Sequence, residues 1–569
     1  MGNPPYSAGQ KSANDNAQNQ HYPMLETRLE KTYVQGSTAT LKNSVYDSYI
    51  KAFRYATDRI GSEGIVAYVS NGAWLDNNAF DGFRKSIEQE FAEIYVFNLR
   101  GNQRTRGELS RREGGKIFGS GSRTPVSITI LVKKPHEGKA TIHYHDIGDY
   151  LSREQKLDII RKSHSIATLQ MDTLHPNEHG DWINLRNDNF ASYIPIEPEK
   201  RYDASAHSFF VTNAVGVATS RDAWVFNFSQ EALSANIGRL IATYNNQREM
   251  LHRGEISELT KDVTQISWSR SLSRNARNNL SITVDNSCLL CAFYRPFTKQ
   301  YLYYQRNVIE SPGQWAQFFP TPQHKNVVIG VPGIGGTKEF SCLIYDSMAE
   351  CLNIFNGQFL PLYWYEERKV AQGNLFGDGQ ERYIRHEAVT DFILRRAREQ
   401  YGGRVTKEGI FYYVYGFLHC PTYRETFAND LKKMLPRLPL VERADDFWAF
   451  SQAGRQLAEL HLDYEHIEPS PEVLLDIRFA ESLTDEQLFH LEQMRFARRA
   501  SAGNNGGKEK DKSVIEYNPF ITLRNIPLRA YDYVVNGKSA IEWIMERYCD
   551  KVDKKSGIRN DANRWGSGA

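Results

Sequence analysis

The sequence predicts an α/β fold, and two observations lead to that class. Three short, nearly continuous apolar runs, at residues 65–69, 94–97 and 126–132, are typical of strands buried within a sheet. Apolar residues also recur at helical spacing over residues 41–60 and 80–91. Helices that alternate with buried strands are the pattern of an α/β sheet. The chain has 569 residues with 40% hydrophobic content, which is enough for several domains with cores of their own.

The predicted elements follow one another in a regular order. The helix over residues 41–60 precedes the run at 65–69, which we expect to be a strand buried on both faces of a parallel sheet. The helix at 80–91 leads directly into the strand at 94–97. A glycine-rich excursion then separates that strand from the third one, at 126–132.

The second part of the chain lacks this regularity. After about residue 136, short strand candidates, aromatic clusters and helices alternate irregularly up to about residue 500. Residues 501–513 are polar, glycine-rich and charged, and we expect them to form a flexible loop. The sequence therefore predicts a first domain over residues 1–135 and a large mixed α/β region over residues 136–569.

Composition excludes several classes of protein. The formal net charge is only +2, so a nucleic-acid-binding surface would have to be a local patch. Six cysteines do not make a disulfide framework, and the isolated CxxC spacing of Cys288 and Cys291 lacks the second ligand pair of a zinc site. We interpret these two as buried structural thiols. Neither a long apolar run nor a signal-peptide pattern occurs, so we expect a cytoplasmic protein with no membrane span. Since no second ligand pair accompanies the CxxC spacing, we also expect no metal.

The segment with the most chemical information is Asn3-Pro4-Pro5-Tyr6. The exocyclic amine of a nucleobase is a poor nucleophile, and accepting hydrogen bonds from both amino hydrogens stabilises the charge that develops on its nitrogen. The Asn3 side-chain oxygen and the Pro4 carbonyl are the candidate acceptors, and Pro5 keeps the segment stiff. Tyr6 offers a face on which an extruded base can stack. The alternative is that these four residues are only a turn.

A basic, glycine-rich excursion lies between the second and third predicted strands. Its cations, opposed by Glu108 and Glu113, are Arg100, Arg104, Arg106, Arg111, Arg112, Lys116 and Arg123. Six glycines between residues 98 and 123 allow the backbone to approach other groups closely. We expect the cations to contact DNA phosphates near an extruded base, and the alternative is a solvated loop.

Two histidine patterns have ordinary structural explanations. The segment from His175 to His179 has the spacing of a metallopeptidase motif, but Pro176 and Gly180 predict a loop instead of the helix that the motif needs. His143 and His145 lie on one face of a predicted strand without a third ligand, so we interpret them as part of an ordinary polar strand.

Two further segments are ambiguous from composition. Residues 293–304 interleave aromatic residues with Arg295 and Lys299, which suits a DNA-facing surface and a core strand equally well. Residues 330–336 are glycine-rich but contain a proline, and we expect them to form a loop.

Distinctive motifs occur along the whole chain. Besides Asn3–Tyr6 they are Tyr46-Asp-Ser-Tyr-Ile-Lys-Ala-Phe-Arg54, Phe97-Asn-Leu-Arg-Gly-Asn102, Gly114-Gly-Lys-Ile-Phe-Gly119, Tyr294-Arg-Pro-Phe297, Tyr413-Val-Tyr-Gly-Phe-Leu-His419, Leu435-Pro-Arg-Leu-Pro439 and Tyr533-Val-Val-Asn-Gly-Lys-Ser539. This set resembles type ISP restriction-modification enzymes. In that family one polypeptide holds a nuclease, a helicase-like translocase, an adenine-specific DNA methyltransferase and a C-terminal target-recognition domain.

The resemblance implies a fold and a function for each part of the chain. Residues 1–135 would be the C-terminal half of a Rossmann-like methyltransferase sheet, and residues 136–569 a target-recognition region for double-stranded DNA. The reaction would transfer a methyl group from S-adenosylmethionine to an adenine amino group, with Asn3, Pro4, Pro5 and Tyr6 as the catalytic segment. The resemblance also tips residues 293–304 toward the recognition domain.

The resemblance leaves the cofactor site outside this sequence. In the family the S-adenosylmethionine loop precedes the Asn-Pro-Pro-Tyr segment, whereas here Met1 and Gly2 stand directly in front of it. We therefore expect the chain to come from a truncated or split gene, with a separate chain supplying the cofactor loop, nuclease and translocase. Two alternatives stay open: a DNA-recognition module without catalysis, and a protein glutamine methyltransferase.

Overall fold

Helices and strands are spread along residues 1–5, 21–39, 42–105, 107–119, 123–203, 205–336, 338–368, 382–500 and 508–566, which the computed structural model describes. The α-helices are α1 (Pro23–Leu29), α2 (Ser48–Arg59), α3 (Asp81–Glu90), α4 (Gly107–Glu113), α5 (Arg153–Lys162), α6 (Asp222–Val225), α7 (Gln230–His252), α8 (Arg270–Arg277), α9 (Trp315–Phe318), α10 (Asp391–Tyr401), α11 (Lys407–Phe417), α12 (Pro421–Thr426), α13 (Ala428–Lys433), α14 (Ala444–Leu462), α15 (Asp485–Leu488) and α16 (Ala540–Arg547).

The strands of the same residues range from two residues in β6 to nine in β20. They are β1 (Gly64–Asn71), β2 (Glu93–Arg100), β3 (Val126–Lys133), β4 (Thr141–Asp146), β5 (Asp172–Leu174), β6 (Ile194–Pro195), β7 (Ala214–Val215), β8 (Phe226–Asn227), β9 (Leu289–Arg295), β10 (Thr298–Tyr303), β11 (Val328–Val331), β12 (Leu343–Tyr345), β13 (Met348–Ala349), β14 (Gln358–Pro361), β15 (Tyr363–Glu367), β16 (Tyr383–Glu387), β17 (Arg437–Leu438), β18 (Leu474–Ile477), β19 (Arg495–Ala500), β20 (Lys508–Glu516), β21 (Ile521–Arg524), β22 (Val534–Val535), β23 (Lys538–Ser539), β24 (Asp550–Val552) and β25 (Arg559–Asp561).

The mixed α/β class predicted from the sequence is confirmed, and the chain divides into two compact units. Unit 1 comprises Met1–Ala191 together with Ile334–Glu339 and Thr426–Met434. Unit 2 comprises Ser192–Gly333, Phe340–Glu425 and Leu435–Ala569.

Unit 1 contains a five-stranded sheet with the order β1-β3-β2-β4-β5. β3 lies between β1 and β2 and is antiparallel to both, β2 is parallel to β4, and β5 is antiparallel to β4. Consequently β1, β2 and β4 run in the same direction and end at the same edge of the sheet. The strands predicted at 65–69, 94–97 and 126–132 are confirmed as β1, β2 and β3. The expectation that β1 is buried on both faces of a parallel sheet is wrong, because it pairs antiparallel with β3 and Ile65 is 63% exposed.

Two apolar cores cover the sheet of unit 1. One combines Phe53 of α2 and Phe83 of α3 with Val66 of β1. The other combines Phe97 of β2 with Leu157 of α5. Phe97 and Val66 are both buried, so helices on this sheet cover apolar strand residues in the manner expected of an α/β unit.

The helix predictions for unit 1 are confirmed with one change. The helix at 80–91 is α3, which spans Asp81–Glu90. The helical spacing over 41–60 corresponds to a 3₁₀ turn, Asn43–Tyr46, followed by α2. Asp47 interrupts the two because its backbone is extended, with φ −61° and ψ 146°.

Unit 2 contains small, mainly antiparallel sheets and a large apolar core. Within the described residues, its four-stranded sheets have the orders β13-β9-β10-β8, β12-β11-β14-β7 and β18-β21-β20-β19. The core combines Leu240 of α7 with Phe293 of β9, Trp315 of α9 and Phe359 of β14. Phe297 and Tyr303 are buried in the same core, so the ambiguous segment 293–304 is a β9–β10 hairpin whose aromatic residues largely serve packing.

Three local expectations for unit 2 are wrong. Residues 330–336 are not a loop throughout, because Gly330 lies in β11 between β12 and β14, and only residues 332–336 are irregular. Residues 508–513 of the expected flexible loop belong to β20, which pairs with β19, and residues 501–507 lie outside the described residues. Cys291 is exposed instead of buried, and Cys288 is half-buried.

Helices α11 and α14 of unit 2 approach each other closely at two glycines. A Cβ atom on Gly416 would lie 2.2 Å from the Phe450 carbonyl oxygen, and one on Gly454 would lie 2.0 Å from that of Tyr412. Near this crossing the Tyr415 hydroxyl and Nδ1 of His461 share a hydrogen bond of 2.6 Å. Within the described ranges, no helix combines the length and the apolar content needed to cross a membrane.

Candidate functional site

The candidate adenine-binding segment, Asn3–Tyr6, follows Gly2, which pairs with the outer strand β1 of the sheet in unit 1. The backbone of Gly2 pairs in parallel with Tyr68 of β1. The Gly2 N–H donates to the Ala67 carbonyl at 2.9 Å, and the Gly2 carbonyl accepts from the Val69 N–H at 3.0 Å. The residues that follow Gly2 therefore continue toward the carboxyl end of β1.

The described part of this segment is accessible. Asn3 and Pro5 are exposed and Pro4 is half-buried, whereas Tyr6 lies outside the described residues. In open α/β sheets ligands bind beyond the carboxyl ends of the parallel strands. An exposed amide at this edge is thus in a position where a ligand can reach it.

The basic excursion, residues 98–123, covers the end of β2 and most of the connection from β2 to β3, and both ends of this connection are at the same edge of the sheet. The connection leaves the carboxyl end of β2 and returns at the start of β3. There Val126 lies opposite Asn71, the last residue of β1, and the Gly72 N–H donates to the Pro125 carbonyl at 2.9 Å. The fold of unit 1 therefore brings the Asn3 segment and the basic excursion to one edge of one sheet.

Arg100 holds the start of this excursion in place through hydrogen bonds to two carboxylates. It follows a β-bulge with φ +53°, and its Nε donates to Asp146 at 2.7 Å while its Nη1 donates to Asp149. Nε of Arg112 donates to the same Asp149 at 3.1 Å. Desolvation raises the pKa of Asp149, but the hydrogen bonds and charges of Arg112 and Arg100 outweigh it and hold this pKa below its ordinary value.

Lys156 of α5 hydrogen-bonds to both ends of residues 99–113, a segment that includes the first half of the basic excursion. Its buried Nζ donates to the carbonyl of Leu99 at 3.0 Å and to that of Glu113 at 2.7 Å. Burial lowers the pKa of Lys156 from 10.5 to about 8. Sequence reasoning missed this residue, because nothing in the local pattern shows that a lysine will be buried.

Glycines give the excursion a close contact with the following segment. A Cβ atom on Gly114, whose φ is +68°, would lie 2.2 Å from the Leu151 carbonyl oxygen. One on Gly115 would lie 2.4 Å from the Arg153 nitrogen. The close approach predicted for the glycines is therefore confirmed at these two positions.

The remaining predicted cations differ in their accessibility. Lys116 is half-buried and Arg106 lies outside the described residues. The exposed ones are Arg104, Arg111, Arg112 and Arg123. Nη2 of Arg123 also donates to the Gln103 carbonyl at 3.1 Å. Contact of these residues with DNA stays a prediction.

The histidine patterns have the predicted structural roles. Residues 175–179 form a loop with a turn, so the helix that a metallopeptidase motif needs does not occur there. His143 stacks on Tyr95 with ring centroids 4.5 Å apart, and His145 packs edge-on against Phe97 at 4.9 Å. Across the residues the structure describes, no cluster of histidine, cysteine and carboxylate side chains could hold a metal ion.

Comparison with known protein families finds a match that covers most of unit 2. The model of the Type ISP C-terminal specificity domain matches residues 208–568. The chain belongs to the type ISP restriction-modification family.

Solved structures extend the type ISP similarity to the whole chain. A nuclease-deletion mutant of the type ISP enzyme LlaGI, in complex with a DNA substrate mimic, is 38% identical, with a TM-score of 0.84 over 100% of this chain and 50% of that one. The ATP-dependent type ISP enzyme LlaBIII bound to DNA is 34% identical, with a TM-score of 0.85 over 100% of this chain and 36% of that one. A DrdV–DNA complex is 28% identical, with a TM-score of 0.82 over 99% of this chain and 53% of that one. No curated protein matches the sequence.

This type ISP chain thus spans about half the length, or less, of the solved chains that it matches. Its similarity to LlaGI and LlaBIII includes unit 1, which the family model leaves largely unmatched. The Asn3 segment and the basic excursion therefore belong to a part of the fold that type ISP enzymes share.

Proposed function

We propose that this chain recognises a specific DNA sequence within a type ISP restriction-modification enzyme. Unit 1 would contribute the part of the methyltransferase that contacts the target adenine. The observation that carries the proposal is the match of residues 208–568 to the type ISP specificity domain. Two similar structures that cover the whole chain are complexes with DNA or a DNA substrate mimic, which supports double-stranded DNA as the partner.

The geometry of unit 1 supports a division of labour. The exposed cations Arg104, Arg111 and Arg123 of the basic excursion share a sheet edge with Asn3. Phosphate contacts fix the position of a protein on the duplex, whereas base-edge contacts select the sequence. We therefore assign phosphate contact near the target base to the excursion and sequence selection to unit 2.

The proposed chemistry of the Asn3 segment concerns the adenine amine. The target base must leave the duplex before its amino group can be reached. The Asn3 amide oxygen and the Pro4 carbonyl then accept its two amino hydrogens, and these hydrogen bonds strengthen as positive charge develops on the nitrogen. Pro4 and Pro5 fix φ at two consecutive positions and hold both acceptors in place. Tyr6 would provide the stacking face.

The glycine-rich segment 330–336 is crowded at Gly330, which argues against this glycine as part of an S-adenosylmethionine loop. A Cβ atom on Gly330 would lie 2.6 Å from the ring of Tyr345 and 2.9 Å from that of Phe359, so aromatic packing fills the space around this glycine. Gly330 therefore offers no cradle for the cofactor, and we assign no cofactor-binding residue in the described part of the chain. A separate chain or segment that supplies this loop, together with nuclease and translocase, remains our proposal.

A domain exchange tests the assignment of specificity. Because β4 and β5 extend the sheet of unit 1 beyond residue 135, the exchange should begin at Ser192 and keep the unit 1 segments Ile334–Glu339 and Thr426–Met434 unchanged. Unit 2 of a type ISP relative should bring its own sequence preference in competition binding across a randomised duplex library.

The matched comparison is a variant with Arg104→Ala and Arg123→Ala. It should weaken binding to all duplexes alike and flatten the salt dependence by about 0.9 for each phosphate that these arginines no longer neutralise. A preference that changes with the arginines, or persists through the exchange, would reverse the proposed division. A chain that methylates DNA rapidly on its own would show that the cofactor site lies within it.

A further inference from the structure

Helix α8 of unit 2 presents a stripe of arginines to solvent. Arg270, Arg274 and Arg277 stand at i, i+4 and i+7, and all three are exposed. At 3.6 residues per turn they fall within a sector of about 60°. Leu272 and Ala276 are fully buried on the opposite side, so core packing fixes the direction in which this arginine stripe faces.

Folding of α8 does not require this arrangement of charge. Like charges four residues apart on a helix cost about 0.2–0.5 kcal/mol. The helix dipole favours Arg274 and Arg277 in the last turn but disfavours Arg270 in the first. The carboxylate near the first turn is Glu310, whose Oε2 accepts from the Ser271 N–H at 3.0 Å and whose Oε1 lies 3.9 Å from Nε of Arg270.

The two later arginines are the uncompensated part of the stripe. Residues 263–284 contain no Asp or Glu at all. In the described part of the chain, no ion pair joins Arg274 or Arg277 to a carboxylate, and only the distant Glu310 contact involves Arg270. The remaining polar residues around them are mainly serines and asparagines, whose side chains, like arginine, are among those that hydrogen-bond to phosphate oxygens in protein–DNA complexes.

We propose that the arginine stripe of α8 binds the phosphate backbone of the DNA that unit 2 recognises, an inference that rests on the function proposed above. Seven residues of helix rise about 10 Å, and one DNA strand carries one charge per about 3.4 Å of axis, so the stripe can face about three phosphates. Because the contact is to phosphates, it contributes affinity that is independent of sequence and strongly dependent on salt.

The test is a double variant, Arg274→Gln with Arg277→Gln, in the 569-residue chain. Glutamine keeps a high helix propensity and removes the repulsion between the two charges, so α8 should fold as before. The matched control is Arg395→Gln with Arg396→Gln, since these are also exposed arginines within a helix of unit 2, α10. Circular dichroism and thermal unfolding of both variants check that the fold is retained.

The measurement is the affinity for a short fluorescent duplex of random sequence at several salt concentrations. We expect the salt slope of the α8 variant to fall by about 0.9 for each of its two arginines, hence by close to two in total, and its binding at low salt to be at least tenfold weaker. The control should bind like the unchanged chain. The preference of the α8 variant among duplex sequences should also stay the same.

Three other outcomes would overturn the inference in distinguishable ways. If the α8 variant and the control bind equally well while the unchanged chain binds DNA, the stripe is not the contact and the proposed function stands. If the α8 variant loses affinity for polyglutamate but not for the duplex, the partner is an acidic protein. If the unchanged chain binds no duplex at any salt concentration, the proposed function fails together with the inference.

Discussion

Replacing His461 with glutamine should remove part of the acid sensitivity of unit 2. Burial lowers the pKa of His461 from 6.5 to about 4, because the imidazole is only 9% exposed. Its neutral ring shares a 2.6 Å hydrogen bond with the fully buried Tyr415 hydroxyl. The His461→Gln variant can preserve a polar partner for Tyr415 but cannot take up a proton.

The free energy of unfolding decreases as the pH falls, because the unfolded state binds the proton at a higher pH than the folded state. The pKa of His461 in the unfolded chain is the higher one, so the unfolded state takes up the proton as the pH falls below 6.5. The stability that the neutral ring contributes is complete above pH 6.5 and is lost progressively toward pH 4. Integrating the proton linkage gives a loss of about 2 kcal/mol at pH 5 and about 3 kcal/mol below pH 4. That is a large part of the roughly 5–15 kcal/mol by which native proteins are stable.

The assay must separate unfolding of unit 2 from that of unit 1, so it follows α14, the helix of unit 2 that contains His461. The protein is equilibrated in urea at pH 7 or pH 5 and then given a brief deuterium pulse at one common pH. Peptides from Ala444–Leu462 are analysed by mass spectrometry. The loss of unfolding free energy between the two pH values should be smaller in His461→Gln than in the unchanged protein, by about 2 kcal/mol.

The control for this experiment is His490→Gln, at an exposed histidine of the same unit. It should keep the full pH dependence of the unchanged protein. The comparison uses the difference between two pH values, so an overall stability change caused by either substitution cancels. If His461→Gln retains the unchanged pH dependence, the buried ring is not held neutral and the reasoning fails.

Two further predictions concern unit 1. Lys156→Met should leave the Leu99 carbonyl without its buried donor, at a cost of about 1–3 kcal/mol, and so loosen the basic excursion. Trypsin cleavage after Arg111 and Arg112 should become several-fold faster, and an unchanged rate would contradict a structural role for the lysine. In an enzyme with its cofactor-binding part present, Asn3→Ala should nearly abolish methyl transfer while specific DNA binding stays intact. Near-normal turnover would show that the Asn-Pro-Pro segment is only a turn.

Three of the strands of unit 1 were predictable because their signal is local. Apolar runs at 65–69, 94–97 and 126–132 became β1, β2 and β3. Their pairing was not predictable, since β3 inserts between β1 and β2 with the opposite direction. Apolar composition shows that a strand is buried, but the direction of its neighbours depends on contacts between residues far apart in sequence.

Glycine and charge misled the sequence analysis where packing decides the structure. Gly330 suggested a loop, yet it lies in a strand because the rings of Tyr345 and Phe359 occupy the space of a side chain. The charged residues Lys508–Ser513 suggested flexibility, yet they pair with β19. Within the described residues, β21 pairs with β20 only at residues 515–516, so residues 508–513 lie at an edge of the sheet. Charged residues are common at sheet edges because they discourage pairing with other chains, so polarity alone does not exclude a strand.

The arginine stripe was visible in the sequence but not distinguishable from other cations. Arg270, Arg274 and Arg277 have helical spacing, with Leu272 and Ala276 between them. That pattern predicts an amphipathic helix with one cationic face. The sequence analysis instead selected residues 98–123, where cations occur together with six glycines between two predicted strands.

The near-zero net charge of the chain is compatible with DNA recognition because paired and unpaired cations contribute differently to an electrostatic footprint. Arg100 counts toward a basic segment, but Asp146 and Asp149 neutralise it, and its role is to hold the base of the excursion. Arg274 adds the same formal charge, yet it faces solvent in a stretch without a single carboxylate. A phosphate must be bound by charge that the fold has not already used, since releasing a guanidinium from its carboxylates costs free energy that binding would have to recover. The exposed cations that remain unneutralised, and not the total of +2, therefore determine where a duplex can be held.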